Sequence, residues 1–225
     1  MSVSFEIEPI GPTIGAEIHG LDLTQQVDQE TASSLKGALI EHKVIYARDQ
    51  HISPAQQVAF GRLFGELEVH PFMPDGEFPE IVVLDNHKDN PVLSTDTWHS
   101  DTTFRDCPTR YSILRCLELP KVGGDTLWAD MCAAYDGLSA PLKTMIHGLT
   151  ATHDFKPFRA LYGDSDQDRE KLRNMEQLYP NPTHPMVRTN PESGRKALFV
   201  NPHFTLRINE LTEQESDALL KLLFE

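Results

Sequence analysis

Long apolar runs, cysteine motifs and basic clusters are all missing from this chain of 225 residues. No stretch approaches the roughly 18 consecutive apolar residues of a membrane-spanning helix, so we predict no membrane span. The first residues lack a basic region followed by an apolar run, so we expect no signal peptide and a cytoplasmic protein. Cys107, Cys116 and Cys132 are an odd number without a CxxC pair, which favours reduced thiols over a disulfide framework or a zinc site.

Basic residues are scarce, since Lys and Arg number 20 against 34 Asp and Glu, for a formal charge of −14. Nucleic acids and anionic membranes are bound by clustered Lys and Arg, so we expect neither as a partner. An anionic small molecule stays compatible with this charge, because a pocket can be locally positive on an acidic protein.

The glycine motifs of several large enzyme classes are absent too. No GxGxxG follows a predicted strand, and the sequence contains neither a P-loop nor a GxSxG elbow. Many short predicted strands are instead spread along the chain, with helices early and in insertions. This arrangement favours a β-sandwich or open barrel with helices packed outside. We predict a single domain over residues 1–225, which is long enough to bury a full core.

Apolar periodicity gives the individual elements. A capping box at Ser53 opens one predicted helix, and Thr212 with Glu215 opens the last, whose buried stripe is predicted as Ala218, Leu219, Leu222 and Leu223. The predicted helices cover 29–42, 54–64, 131–137, 140–147 and 213–225, with an exposed helix or loop at 159–180. The predicted strands cover 5–10, 16–20, 44–47, 81–84, 97–101, 111–116, 124–128, 185–189 and 197–200, and another ends at 153–155.

His99 and Asp101 are separated by one residue in the predicted strand 97–101. Because side chains alternate along a strand, the imidazole and the carboxylate would project to one side and converge. They would form two legs of a 2-His-1-carboxylate triad, which holds Fe(II) and leaves positions open for a co-substrate and O2. A His-x-Asp pattern also arises by chance, so a hydrogen-bonded pair without a metal stays open at this point.

Several segments together resemble the TauD/TfdA family of Fe(II)- and 2-oxoglutarate-dependent dioxygenases. These are the segments 14–18, 42–50, 64–67, 98–104 (WHSDTTF), 123–128 (GGDTLW), 133–138 (AAYDGL) and 184–189 (HPMVRT). They keep their order and cover essentially the whole chain. The resemblance implies a mainly β fold with flanking helices, namely a double-stranded β-helix or jelly roll of the clavaminate synthase-like type, with iron near one open end.

The resemblance also implies roles for individual residues. His99 and Asp101 would be iron ligands, and Thr126 would donate a hydrogen bond to a carboxylate of 2-oxoglutarate. His70 and Thr102 would border the primary substrate. The apolar wall of the site would be formed by Phe204 and Phe158.

Two positions depart from the taurine enzyme of the family, since Met73 replaces a tyrosine and Thr95 replaces an asparagine. Both changes alter polar contacts to the head group of taurine. A missing buried hydrogen-bond partner can cost about 1–3 kcal/mol, which is enough to move specificity to another substrate. Sulfonates, alkyl sulfates and aryloxyalkanoates are all handled by members of the family.

The third histidine ligand of the family and its arginines correspond to positions beyond Glu225. The resemblance therefore implies a C-terminally incomplete fold, as a fragment of a longer enzyme or as a truncated product. Three other histidines are candidate ligands, although the family pattern places none of them at the metal: His153, His184 and His203.

The expected function is hydroxylation of a small anionic organic substrate, in first place a sulfonate such as taurine with release of sulfite. An aryloxyalkanoate or alkyl sulfate dioxygenase is the alternative within the family. A non-catalytic jelly-roll binding module, or more remotely a zinc hydrolase, is the alternative outside it. Since relatives associate, we expect a homodimer or a homotetramer.

Overall fold

The computed structural model describes residues 5–72, 76–85 and 96–225. Contacts divide the chain into two compact units, and the prediction of one domain over residues 1–225 stays a prediction. The first unit comprises 1–83, 113–133 and 191–194, and the second comprises 84–112, 134–190 and 195–225. Within the described ranges, no helix is both long enough and apolar enough to cross a membrane. None of the three cysteines, all within the described residues, is disulfide-bonded.

The first unit contains a three-stranded sheet and two helices. Strand β2 pairs with β1 in antiparallel and with β3 in parallel orientation. Ile18 of β2 packs with Leu35 and Leu21 in a small core, because each presents an apolar side chain to the same interior. The elements are β1 (Glu6–Pro9), β2 (Ala16–His19), α1 (Gln29–His42), β3 (Ile45–Tyr46) and α2 (Pro54–Arg62).

The second unit is organised around β4 (Thr150–His153), which pairs in antiparallel orientation with both β5 (Thr183–Pro185) and β8 (Thr205–Ile208). A separate hairpin joins β6 (Val187–Thr189) to β7 (Lys196–Leu198). A short 3-10 helix covers Lys156–Leu161. The α-helices are α4 (Ala140–Ile146), α5 (Asp166–Leu178) and α6 (Glu213–Phe224). Helix α3 (Met131–Gly137) begins in the first unit and ends in the second.

All predicted helices are confirmed, whereas the predicted strands at 81–84, 97–101, 111–116 and 124–128 are wrong. Residues 81–84, 111–116 and 124–128 have irregular backbone in the structure. A strand is stable when its backbone pairs with a neighbour and one face is buried. In the described residues these segments form no ladder, and Leu114 and Leu127 remain 62% and 70% exposed. Among the residues described, helices account for more of the chain than strands.

The buried stripe of α6 differs from the predicted one. Ser216, Leu219 and Leu220 are buried, whereas Leu222 is 52% exposed and Ala218 is exposed. The cause is the hydroxyl of Ser216, which accepts a hydrogen bond of 2.9 Å from the backbone N–H of Ile208 in β8. This contact turns the face around Ser216 toward the sheet.

The capping box of α2 provides a stability test. The Ser53 hydroxyl accepts from the N–H of Gln56 at 3.2 Å, and the Gln56 side chain accepts from the N–H of Ser53 at 2.7 Å. We expect Ser53→Ala to lower the free energy of unfolding by about 1 kcal/mol, because a helix N–H loses its acceptor. Urea denaturation measures the change. Ser53→Thr, which keeps a hydroxyl, is the control, and equal stability of Ser53→Ala and wild type would contradict the prediction.

Candidate functional site

His99 and Asp101 lie together in the second unit, but not on a strand. Residues 98–100 are irregular and residues 101–104 form a turn, so the predicted strand at 97–101 is wrong. Thr102 has a left-handed backbone with φ of 52°, which bends the chain directly after Asp101. The two side chains nevertheless converge, with His99 Nε2 at 3.4 Å from Asp101 Oδ1. A turn, instead of strand alternation, brings them together.

Hydrogen bonds orient both side chains. His99 Nδ1 donates to the backbone carbonyl of Thr97 at 2.8 Å, which places a proton on Nδ1 and directs Nε2 toward Asp101. The other oxygen of Asp101, Oδ2, accepts a hydrogen bond from the hydroxyl of Ser112. The hydrogen bond that the ring of His99 donates to the Asp101 carboxylate raises the pKa of His99 above its ordinary value. The carboxylate thus favours a positive charge between the two side chains.

This donor set fits a divalent metal ion. An imidazole nitrogen and a carboxylate oxygen that each bind one ion at about 2.1 Å are separated by roughly 3 to 3.5 Å, so the observed pair needs little rearrangement. Ligating histidines typically donate their second ring N–H to a carbonyl or carboxylate, as His99 does to Thr97. In the described part of the chain, no group of three or more His, Cys, Asp or Glu side chains could hold a metal.

His203 is the histidine whose ring lies beside His99, with 5.1 Å between the ring centroids. Burial, together with the charges of His99 and Lys156, lowers the pKa of His203 to about 4. The imidazole is therefore neutral at physiological pH. His203 lies beside His99, but within the described residues it does not form a three-ligand metal site with His99 and Asp101.

The predicted apolar wall lies next to these residues. Phe204 is 2% exposed, and its ring is T-shaped against that of His99 at a centroid distance of 6.3 Å. Phe158 stacks on Phe204 at 6.1 Å, and Phe104 contacts both rings. An aromatic cluster therefore covers one side of His99 and keeps water from that side.

A buried polar network lies directly behind the turn. Thr103 is fully buried, and its hydroxyl contacts His153 Nδ1 at 2.9 Å and Asn201 Nδ2 at 3.3 Å. Its backbone carbonyl accepts a hydrogen bond from His184 Nε2 at 2.9 Å. The hydroxyl of Thr205 contacts the opposite nitrogen of His153 at 3.3 Å. Three other segments of the chain thus meet at this one residue of the turn.

The sequence did not predict this network. The sequence offers His153 and His184 only as candidate ligands, whereas the structure places both among buried hydrogen bonds. Burial lowers the pKa of His153 to about 3, helped by the charge of His184. Burial also lowers the pKa of His184. The one signal in the sequence is that histidines occupy strand positions where a buried strand would carry apolar residues.

The remaining predicted site residues are spread over the chain. Thr102 lies in the same unit as His99, is 8% exposed, and its hydroxyl is 2.7 Å from that of Thr109. Thr126 is exposed on irregular backbone in the first unit, where His70 is half-buried and its Nδ1 accepts from the N–H of Phe72 at 3.4 Å. Two further predicted residues lie outside the described ranges: Met73 and Thr95.

Comparisons with known proteins identify the family of this chain. Residues 6–225 match the family model of the taurine catabolism dioxygenase TauD, TfdA family. An alpha-ketoglutarate-dependent sulfate ester dioxygenase of Pseudomonas putida is 34% identical over 230 residues, which cover 99% of this chain and 74% of the relative. An (S)-phenoxypropionate/alpha-ketoglutarate-dioxygenase of Sphingobium herbicidovorans is 32% identical over 233 residues, covering 100% of this chain and 80% of the relative.

A solved structure is also similar to this chain. The crystal structure of AAD-2 in complex with Mn(II) and N-oxalylglycine matches with a TM-score of 0.77 at 28% identity, over 98% of this chain and 78% of that chain. The family model covers all but the first five residues. The chain therefore belongs to the TauD/TfdA family and is an oxidoreductase of the class of dioxygenases that depend on alpha-ketoglutarate, or 2-oxoglutarate.

Proposed function

We propose that this chain binds Fe(II) and 2-oxoglutarate and hydroxylates a small organic anion. The observation that carries the proposal is the pair of His99 Nε2 and Asp101 Oδ1 at 3.4 Å, with the tautomer of His99 fixed by the carbonyl of Thr97. The Mn(II) and N-oxalylglycine bound to the related AAD-2 support it, because N-oxalylglycine has the shape and both carboxylates of 2-oxoglutarate. The fold that we propose for the whole domain is the jelly roll.

In this proposal His99 and Asp101 hold the metal, and Thr126 donates a hydrogen bond to a carboxylate of 2-oxoglutarate. His70 and Thr102 border the substrate, together with Phe204. When bound, Fe(II) supplies the oxidative chemistry with 2-oxoglutarate and O2. The protein contributes geometry and exclusion of water, for which the buried Phe204 beside His99 is suited.

The proposed substrate is a sulfonate such as taurine, in agreement with the description of the family as taurine catabolism dioxygenases. Hydroxylation of the carbon beside the sulfonate would yield an aldehyde and sulfite, with succinate and CO2 from 2-oxoglutarate. A sulfate ester or an aryloxyalkanoate is the alternative, because relatives of similar identity are named for these substrates. Because Met73 and Thr95 differ from the residues of the taurine enzyme, all three substrate classes should be tested.

We also propose that the protein forms a homodimer or a homotetramer, which light scattering would check.

An anaerobic titration tests the proposal. Fe(II) and 2-oxoglutarate are added to the protein, and the visible metal-to-ligand charge-transfer band is recorded, followed by succinate formation in air with each substrate class. A band together with substrate-dependent succinate supports the dioxygenase. If no band forms at saturating Fe(II) and 2-oxoglutarate, the chain does not assemble this site, and the binding-module hypothesis takes its place.

Ser112 offers a graded test of the same site. Its hydroxyl donates to Asp101 Oδ2 and so orients the carboxylate. We expect Ser112→Ala to lower the affinity for Fe(II) by about tenfold, the lower end of the 10- to 100-fold effect of outer partners, because Ser112 is exposed. Ser112→Thr keeps the hydroxyl and should bind like wild type. Equal affinity of Ser112→Ala and Ser112→Thr would show that the contact has no role in binding.

A further inference from the structure

We propose that His153 and His184 are positioning residues of the metal site, which act on Asp101 through Thr103. Both histidines contact Thr103, which lies two residues after Asp101, so the effect is transmitted by the turn. The inference rests on the proposed function, because it assigns to these histidines a role in orienting the ligand Asp101.

Hydrogen bonds to its hydroxyl and to its backbone carbonyl hold Thr103 in place. Its hydroxyl lies 2.9 Å from His153 Nδ1, and its carbonyl accepts from His184 Nε2 at 2.9 Å. Thr103 and His153 are each 0% exposed, so water does not compete for these contacts. A buried polar group that loses its partner is not rescued by solvent, and the network therefore holds the residue in one position.

The two histidines are themselves held in place. His153 lies on β4 and His184 on the adjacent β5, and their rings are T-shaped with a centroid distance of 5.0 Å. The ring of Phe199 stacks on His153 at 6.0 Å and meets the edge of His184 at 5.3 Å. The hydroxyl of Thr205 hydrogen-bonds to the second ring nitrogen of His153, Nε2, at 3.3 Å. The sheet thus provides a rigid support on which the turn rests.

Only Thr102 separates this support from Asp101. A β-branched residue with a positive φ is strained, and such a conformation persists where its surroundings determine it. The hydroxyl of Thr102 accepts from the N–H of Thr109 at 2.8 Å, and Thr103 is fixed as described. Because Thr102 and Thr103, the two residues after Asp101, are both held in place, the direction in which the Asp101 side chain projects from the backbone is fixed as well.

The test compares Thr103→Val, which keeps the shape but removes the hydroxyl, with Thr103→Ser, which keeps the hydroxyl. The probe is Mn(II), titrated into the full chain with and without N-oxalylglycine and followed by electron paramagnetic resonance of free Mn(II). We expect Thr103→Val to bind Mn(II) about 10- to 100-fold more weakly than wild type, and Thr103→Ser to stay within about threefold.

Ser216→Ala separates positioning from loss of stability. It removes another buried hydroxyl of the second unit, the one that accepts from Ile208, and leaves the contacts of Thr103 in place. We expect Ser216→Ala to lower the free energy of unfolding, measured by urea denaturation, as we expect of Thr103→Val. Unlike Thr103→Val, Ser216→Ala should leave the Mn(II) affinity unchanged. A purely structural role of the network would move stability and affinity together in both variants.

Each outcome decides the inference. If Thr103→Val binds Mn(II) like wild type, the positioning role is overturned while the proposed function stands. If wild type itself binds no Mn(II), the proposed function fails and this inference fails with it. Should Thr103→Val not fold, His184→Gln and His184→Met replace the pair, because glutamine can still donate to the Thr103 carbonyl and methionine cannot. Equal Mn(II) affinity of these two variants overturns the inference.

Discussion

Asp101→Ala and His99→Ala are each expected to weaken Fe(II) binding by more than about 100-fold, since loss of an outer partner alone costs 10- to 100-fold. The two side chains converge at 3.4 Å, and in the described residues no third His, Cys, Asp or Glu joins them. Removal of either ligand leaves only one atom of this pair to hold the ion. Activity that depends on 2-oxoglutarate should disappear with the metal.

The measurement is the anaerobic charge-transfer titration, repeated on both variants and followed by succinate formation. Asp101→Asn refines it, because the amide keeps the shape of the carboxylate but loses the negative charge that binds a cation. His147→Gln removes an exposed imidazole at the end of α4 and serves as the control with wild-type affinity. If His99→Ala and Asp101→Ala bind Fe(II) as tightly as this control, the metal is held elsewhere and the proposed site is wrong.

Local sequence signals predicted the helices well, because the signals that begin a helix act within a few residues. Asp28 accepts from the N–H of Thr31 at 2.8 Å where α1 starts, and Ser53 does the same for α2. Strands were less predictable. The segment 111–116 alternates as a strand should, yet a strand also requires a hydrogen-bonded neighbour from elsewhere in the chain, and the described residues provide none there.

The candidate site shows the same division. His99 and Asp101 were predictable as a pair because they are two residues apart, even though the structure joins them by a turn and not by a strand. The support behind them was not predictable. His153 and His184 are brought together by the pairing of β4 with β5, and both contact Thr103, which no local pattern in the sequence reveals.

The buried His153 is expected to make the stability of the protein fall steeply with acid. Burial lowers its pKa to about 3 from an ordinary value of 6.5. Between these two values the unfolded chain binds a proton that the folded chain does not, so stability decreases as the pH falls from about 6.5 toward 3. At about 1.4 kcal/mol per pH unit, this one group accounts for about 2 kcal/mol at pH 5 and up to about 5 kcal/mol at pH 3.

Urea denaturation of wild type and His153→Gln at pH 8 and pH 5 measures this effect, because glutamine keeps hydrogen-bonding groups toward Thr103 and Thr205 but does not titrate. The stability difference between the two proteins should shift by about 2 kcal/mol in favour of His153→Gln on going from pH 8 to pH 5. An unchanged difference between wild type and His153→Gln at both pH values would mean that His153 takes up its proton in the folded state, so that the network around Thr103 is more accessible to water than its complete burial indicates.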